Sequence, residues 1–282
     1  MLQQLIPLVV TLSLAGLVMA VGLEATPREL LSLFRQPLRL ARAVLAVNVI
    51  VPVAAAILVG LFPLSPVVKM GILVMAVSPV PPLVPGKGLK AGGDRVYALS
   101  LYASLVLLSI VIVPATVAIL AHIYGSSVSV SPLQIAENVA IGVVAPLLAG
   151  LALHAVAPAF SEKVAPTLRR LSMLVVLLIV IPVIVSLWPA ISTLAGDGAL
   201  LAMALTSAAG LAAGHLLGGP GLGDRGALAQ TAVTRHPGIA ILIANAAGGD
   251  KRVTAAVIAF MLVGLLVAIP YQVWLGRRMR AA

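Results

Sequence analysis

The sequence predicts an all-α polytopic membrane protein of about nine transmembrane helices. Three observations predict it: the bulk composition, the recurrence of apolar stretches of spanning length, and the placing of basic residues between those stretches. Of the 282 residues, 61% are hydrophobic and 9% are charged. A soluble domain carries about 25% charged residues and would be poorly solvated at this depletion. Aromatic residues make up 4%, so the apolar content is chiefly Leu, Val, Ala and Ile, which suits lipid-facing surfaces and close helix packing.

A helix needs about 20 apolar residues to cross the hydrocarbon core. Segments that meet or approach this are residues 5–23, 43–62, 96–122, 137–157, 171–188, 199–217 and 253–275. Two more start near Pro66 and Gly226 and are interrupted after Ser78 and near Pro237. The first segment lacks the basic flank and short apolar run of a cleaved leader, so it reads as a span. Between the first two, "TPRELLSLFRQPLRLAR" mixes Leu30, Leu31, Leu33 and Phe34 with charges and reads as a short interfacial helix. The glycines of "GHLLGGPGLGDRG" lack the lysine-serine pair of a phosphate loop, and the stretch reads as a flexible connection.

With the N-terminus outside, inner loops carry 13 of the 18 Lys and Arg residues and outer loops 3, leaving Lys87 and Arg235 inside segments. The positive-inside rule then predicts N-terminus outside and C-terminus cytoplasmic, in a bacterial-type inner (plasma) membrane. The net charge of +10 is spread as topology signals, not gathered into one patch, which argues against nucleic-acid binding. Cysteine is absent, which excludes disulfides and thiolate chemistry.

The two interrupted segments break alike. "SPVPPLVPGKGLKAGG" holds Pro79, Pro81, Pro82 and Pro85 followed by Gly86, and "QTAVTRHPGIAILIA" holds Pro237 and Gly238. Proline removes a backbone donor and clashes with the preceding turn. Unwound backbone at membrane depth is tolerated where it lines a cavity or is buried in protein. One break in each half points to a transporter site built from inverted repeats.

Each break also holds a cation: Lys87 after the first, Arg235 with His236 in the second. A charge within a bilayer costs about 2.5–3.5 kcal/mol on insertion scales, so such residues are candidates for substrate binding. Lys87 has a second reading, in which the span has ended and the ammonium snorkels to the inner face beside Lys90 and Arg95. Asn48, Ser100, Ser104, Thr231, Thr234 and Asn245 are the other polar candidates, although Ser and Thr in spans often serve helix packing. His122, His154 and His215 fall near span ends. Glu137, at the start of the fifth segment, is the one carboxylate near a span.

Taken in order, "MAVGLEATPRELLSLFRQP", "VNVIVP", the proline-broken third segment followed by "AGGDRVYALS", and "TRHPGIAILIA" resemble the bile acid:sodium symporter family across nearly the whole chain. The resemblance implies two crossing, discontinuous helices in a core domain, about 43–122 and 199–276 here, and a panel domain, about 1–42 and 132–190. It implies a small organic anion bound between the two, usually with sodium. The chain resembles a nine-span member. Its departures fall on the sodium ligands. The place of a Ser-Asn pair holds Gly86 and Lys87. A glutamine's place holds Val47 with Asn48 beside it, a glutamate's place holds Thr231, and a second glutamine's place holds Arg235. Ser100 and Ser104 still match ligands.

The expected function is therefore a secondary transporter, symporter or facilitator, for a small organic anion. It is expected not to be sodium-coupled, with fixed cations replacing bound sodium at the helix crossing. Substrate binding is assigned to Lys87, Arg235, His236, Asn48 and Thr234. Coupling or the crossing is assigned to Pro85, Gly86, Ser100, Ser104, Thr231, Pro237 and Gly238. No cofactor or metal is expected, and protons are a candidate coupling ion through His236 or Lys87. The alternatives are a sodium-coupled bile-acid-like symporter and a channel or sensor. An enzyme is disfavoured: the spans hold no carboxylate pair or metal cluster, and a formal Ser-Lys pairing of Lys87 with Ser100 or Ser104 lacks an oxyanion hole.

Overall fold

A computed structural model describes residues 2–124, 131–194, 198–248 and 251–281. Among these residues every regular element is helical. Helix α1 is Leu2–Leu23. Thr26 then closes a capping box with Glu29 around the short helix α2, Pro27–Leu30, satisfying end groups that a four-residue helix cannot satisfy itself. A 3-10 turn, Ser32–Arg35, leads into α3, Pro37–Leu61. There follow α4 (Pro66–Val77), α5 (Val84–Lys90), α6 (Arg95–Ile123), α7 (Pro132–Val156) and α8 (Pro158–Thr193). The chain ends with α9 (Ala199–Leu217), α10 (Leu222–Val233), α11 (Pro237–Ala246) and α12 (Lys251–Ala281).

Six of these helices, α3, α6, α7, α8, α9 and α12, are long and apolar enough to cross a bilayer, and shorter apolar helices accompany them. The chain is an all-α polytopic membrane protein. Its outer surface agrees: Leu171, Leu174, Leu178, Ile181 and Val185 of α8 are exposed, an apolar face that only lipid solvates well.

Several boundaries differ from the sequence expectation. The second span begins at Pro37, six residues before 43, because the basic amphipathic stretch continues directly into the apolar helix. The sixth is one helix of 36 residues, since Pro166, Pro182 and Pro189 are accommodated without a break. Pro85 and Gly86 lie inside α5, not in the unwound segment, because a proline in a first helical turn loses no intrahelical bond. Lys87 consequently sits mid-helix rather than at a helix start. The "GHLLGGPGLGDRG" stretch is also mostly helical, and only 218–221 separate α9 from α10. Its glycines serve close approach: a Cβ on Gly223 would collide with the Gly92 carbonyl, and one on Gly218 with the Arg225 backbone.

Helix α1 packs on α7 and α8. Gly22 of α1 and Gly150 of α7 set that approach, since a Cβ on either would run into the other's backbone. Of the remaining helices, α3 and α10 pack on α9, while α4, α9 and α11 pack on α12, and α5 bridges α10 and α6. They form two runs with the same order of elements: α3, the broken pair α4/α5, α6; then α9, the broken pair α10/α11, α12.

Candidate functional site

The breaks at 78–83 and 234–236 have local causes. Ser78 ends α4 in an extended conformation, its hydroxyl donating to the Met75 carbonyl at 2.8 Å. Proline 79, 81 and 82 then deny the chain the donors for another turn. At the second break, Thr234 leaves helical geometry and His236 caps α11, its Nδ1 accepting the Ile239 N–H at 3.3 Å, with Pro237 in the first turn.

The two breaks meet. The His236 N–H donates to the Pro79 carbonyl at 3.0 Å and lies 3.2 Å from the Ser78 hydroxyl. Arg235 donates through Nη1 to the Ser78 carbonyl at 3.3 Å and through Nη2 to the Val47 carbonyl. That second acceptor is freed by α3 itself. Residues Leu45–Ile50 run in a π register, where the donor for Val47 would be position 52, a proline without an N–H. One guanidinium thus ties three unwound or bulged segments together. Arg235 and His236 are each only 3% exposed.

From the other side, Lys87 donates through Nζ to the Thr234 hydroxyl at 3.1 Å, and that hydroxyl donates to the Gln230 carbonyl at 2.7 Å. Lys87, Thr234 and Arg235 line one small cavity of about 30 Å³ with Met75, Phe260 and Gly264. Asn48 is buried in the π segment beside Val47, its Oδ1 without a partner. Ser104 is buried with its hydroxyl unpartnered, whereas Ser100 donates to the Tyr97 carbonyl and Thr231 to the Ala227 carbonyl. The hydroxyls of Ser100 and Thr231 are therefore occupied by their own helices. Gly238 follows the crossing and lies under α1, where an added Cβ would stand 3.2 Å from the Leu14 Cδ1.

A second, larger space of about 470 Å³ lies on the opposite face of α5, between α5/α6 and the ends of α1, α7 and α8. Pro85, Gly86 and Leu89 line it, while Lys87, Lys90 and Ala91 face away, as a turn of 100° per residue requires. Its far wall carries Glu24, which pairs with Arg169 and whose carbonyl accepts from Arg95 Nη2 at 2.6 Å. His154 Nδ1 is 2.7 Å from the Leu23 carbonyl. At its rim, burial alone would raise the Glu29 carboxyl, but the Thr26 hydrogen bonds and the Arg95 charge hold it below the usual value.

Gln230 and Gln272 were not singled out by sequence. The Gln272 Nε2 donates to the Gln230 Oε1 at 2.9 Å, and the buried Gln230 Nε2 has no partner. A buried amide one turn before Thr234 was the available signal.

The family model described as the Sodium Bile acid symporter family matches residues 11–192. No curated protein matches the chain.

Proposed function

This chain belongs to the Sodium Bile acid symporter family, and from that premise we propose that it is a secondary transporter of a small organic anion that does not require sodium. The family makes it a membrane transporter of the bile acid or organic anion type. The finer reading rests on one observation: the crossing holds two cations, Lys87 and Arg235, and the residues lining their shared cavity include no carboxylate. A sodium site wants several oxygens and usually a negative charge, and two fixed positive charges oppose it at short range. Arg235 does what a bound ion would do, drawing the carbonyls of Val47 and Ser78 together.

In this reading the substrate occupies the larger cleft, in front of α5, between a core (about 43–122 and 199–276) and a panel (about 1–42 and 132–190). Pro85 and Gly86 meet it there. Lys87 and Arg235 act from behind, bracing the crossing and supplying a positive potential, and the N-terminus of α11 adds a partial positive charge. Alternating access then moves one domain past the other, with the N-terminus outside and the C-terminus cytoplasmic.

A second reading, a sodium-coupled symporter, is favoured by the family and by two buried oxygens without partners, Asn48 Oδ1 and Ser104 Oγ. Proteoliposome uptake of a panel of carboxylates and sulfonates separates the two. Saturable uptake that persists when choline replaces sodium supports the first. Uptake abolished by that replacement establishes the second, and non-saturating flux without counterflow would replace both with a channel.

A further inference from the structure

Behind α5 the charge does not balance. Lys87 and Arg235 line the same small cavity, and no acidic residue lines it. The ion pairs of Arg39 with Asp224 and of Arg169 with Glu24 involve neither of these two cations. The partners that they do have are neutral: the Thr234 hydroxyl for Lys87 and the carbonyls of Ser78 and Val47 for Arg235.

The hydrogen bonds also leave donors over on both cations. Arg235 is 3% exposed and its Nε–H has no partner. An ammonium has three donors, and one of those on Lys87 goes to Thr234. The space holds one or two water-sized occupants. It is far too small for an organic anion. A neighbouring cavity of about 70 Å³, lined by Lys87, Lys90 and Gln272, continues from Lys87 along α12. This route is separated by α5 from the cleft in front.

We infer that this rear cavity binds a monovalent inorganic anion of halide size, held by Lys87 Nζ beside the Arg235 side chain, as the counter-ion of the crossing. Burying two like charges is unfavourable unless they are paired. A halide meets that need with one spherical acceptor that several N–H groups share. It compensates one of the two cations and leaves the other to act on the substrate. The inference rests on the sodium-free reading, since a site prepared for sodium would repel a halide. Halides reach it through the Lys90 and Gln272 cavity, independently of substrate.

The test uses the purified full chain in detergent, without organic substrate. Choline sulfate is replaced stepwise by choline chloride or choline bromide at constant ionic strength, and the melting temperature is read. The expected result is a saturable rise with either halide. In Lys87→Met the half-saturating halide concentration should increase by about tenfold or more. Bromide soaked into crystals of the wild type should give an anomalous peak between Lys87 and Arg235, a readout that does not depend on the variant folding. Equal melting temperatures in sulfate and halide, an unchanged half-saturation in Lys87→Met, or no anomalous peak there would each overturn the inference. Sodium-dependent uptake with a halide peak present would sink the sodium-free reading and leave the site standing, whereas sodium-free uptake without a peak would do the reverse.

Discussion

The Arg235 guanidinium reaches both the Ser78 carbonyl, in the first break, and the Val47 carbonyl, in the π segment of α3. These acceptors lie far apart in sequence, and neither has a donor from its own helix that the local geometry guarantees. The side chain is therefore a clamp as well as a charge, and both roles are lost together when it is removed.

Arg235→Gln should unfold at lower temperature and lose transport. Each carbonyl left without a partner in a buried setting costs about 1–3 kcal/mol. Arg235→Lys should recover little of this, because one ammonium lacks the planar fork that spans two separated acceptors. Thermal melts in detergent and uptake in proteoliposomes check both. A lysine variant as stable as the wild type would show that charge alone suffices.

Thr231→Glu should introduce sodium sensitivity. Thr231 is fully buried in α10, one turn from Arg235, and its hydroxyl serves only the Ala227 carbonyl. A carboxylate there compensates the cations and gives a hard ion an anionic oxygen. The measurement is the melting temperature in sodium against choline, where the wild type should show no difference and the variant a rise. A variant indifferent to sodium would argue that the two cations still exclude the ion.

Gly22→Leu or Gly150→Val should separate α1 from α7. Overpacking of a tight contact costs about 1–3 kcal/mol, and here the obstacle is backbone, which cannot rotate aside. By contrast Gly60→Ala, where an added Cβ meets nothing, should melt like the wild type. Differential scanning of the three variants tests the pair as the seam of that helix group.

A reporter fused after Arg280 should read cytoplasmic, and one inserted at 125–130 should read external. The first follows from the clustering of Arg277, Arg278 and Arg280 at the end of α12, the second from the odd number of crossings between them. An external readout at the C-terminus would reverse the orientation of the cleft as well as that of the tail.

The sequence alone determined the class of protein and the two places where its helices fail. Both follow from local chemistry: a chain this apolar has no soluble state to favour, and proline with a capping serine or histidine ends a helix wherever it occurs. The cations at those breaks were legible for the same reason, since a charge in an apolar run stands out. Position along the chain does not determine direction in space. Whether Lys87 faces the cleft or the rear cavity depends on where α5 starts, and a start at Val84 rotates it behind Gly86. Only the tertiary structure decided that Val47, from a helix forty residues before the first cation, supplies the acceptor for Arg235. The bulge that frees its carbonyl gains its partner from a segment nearly two hundred residues away.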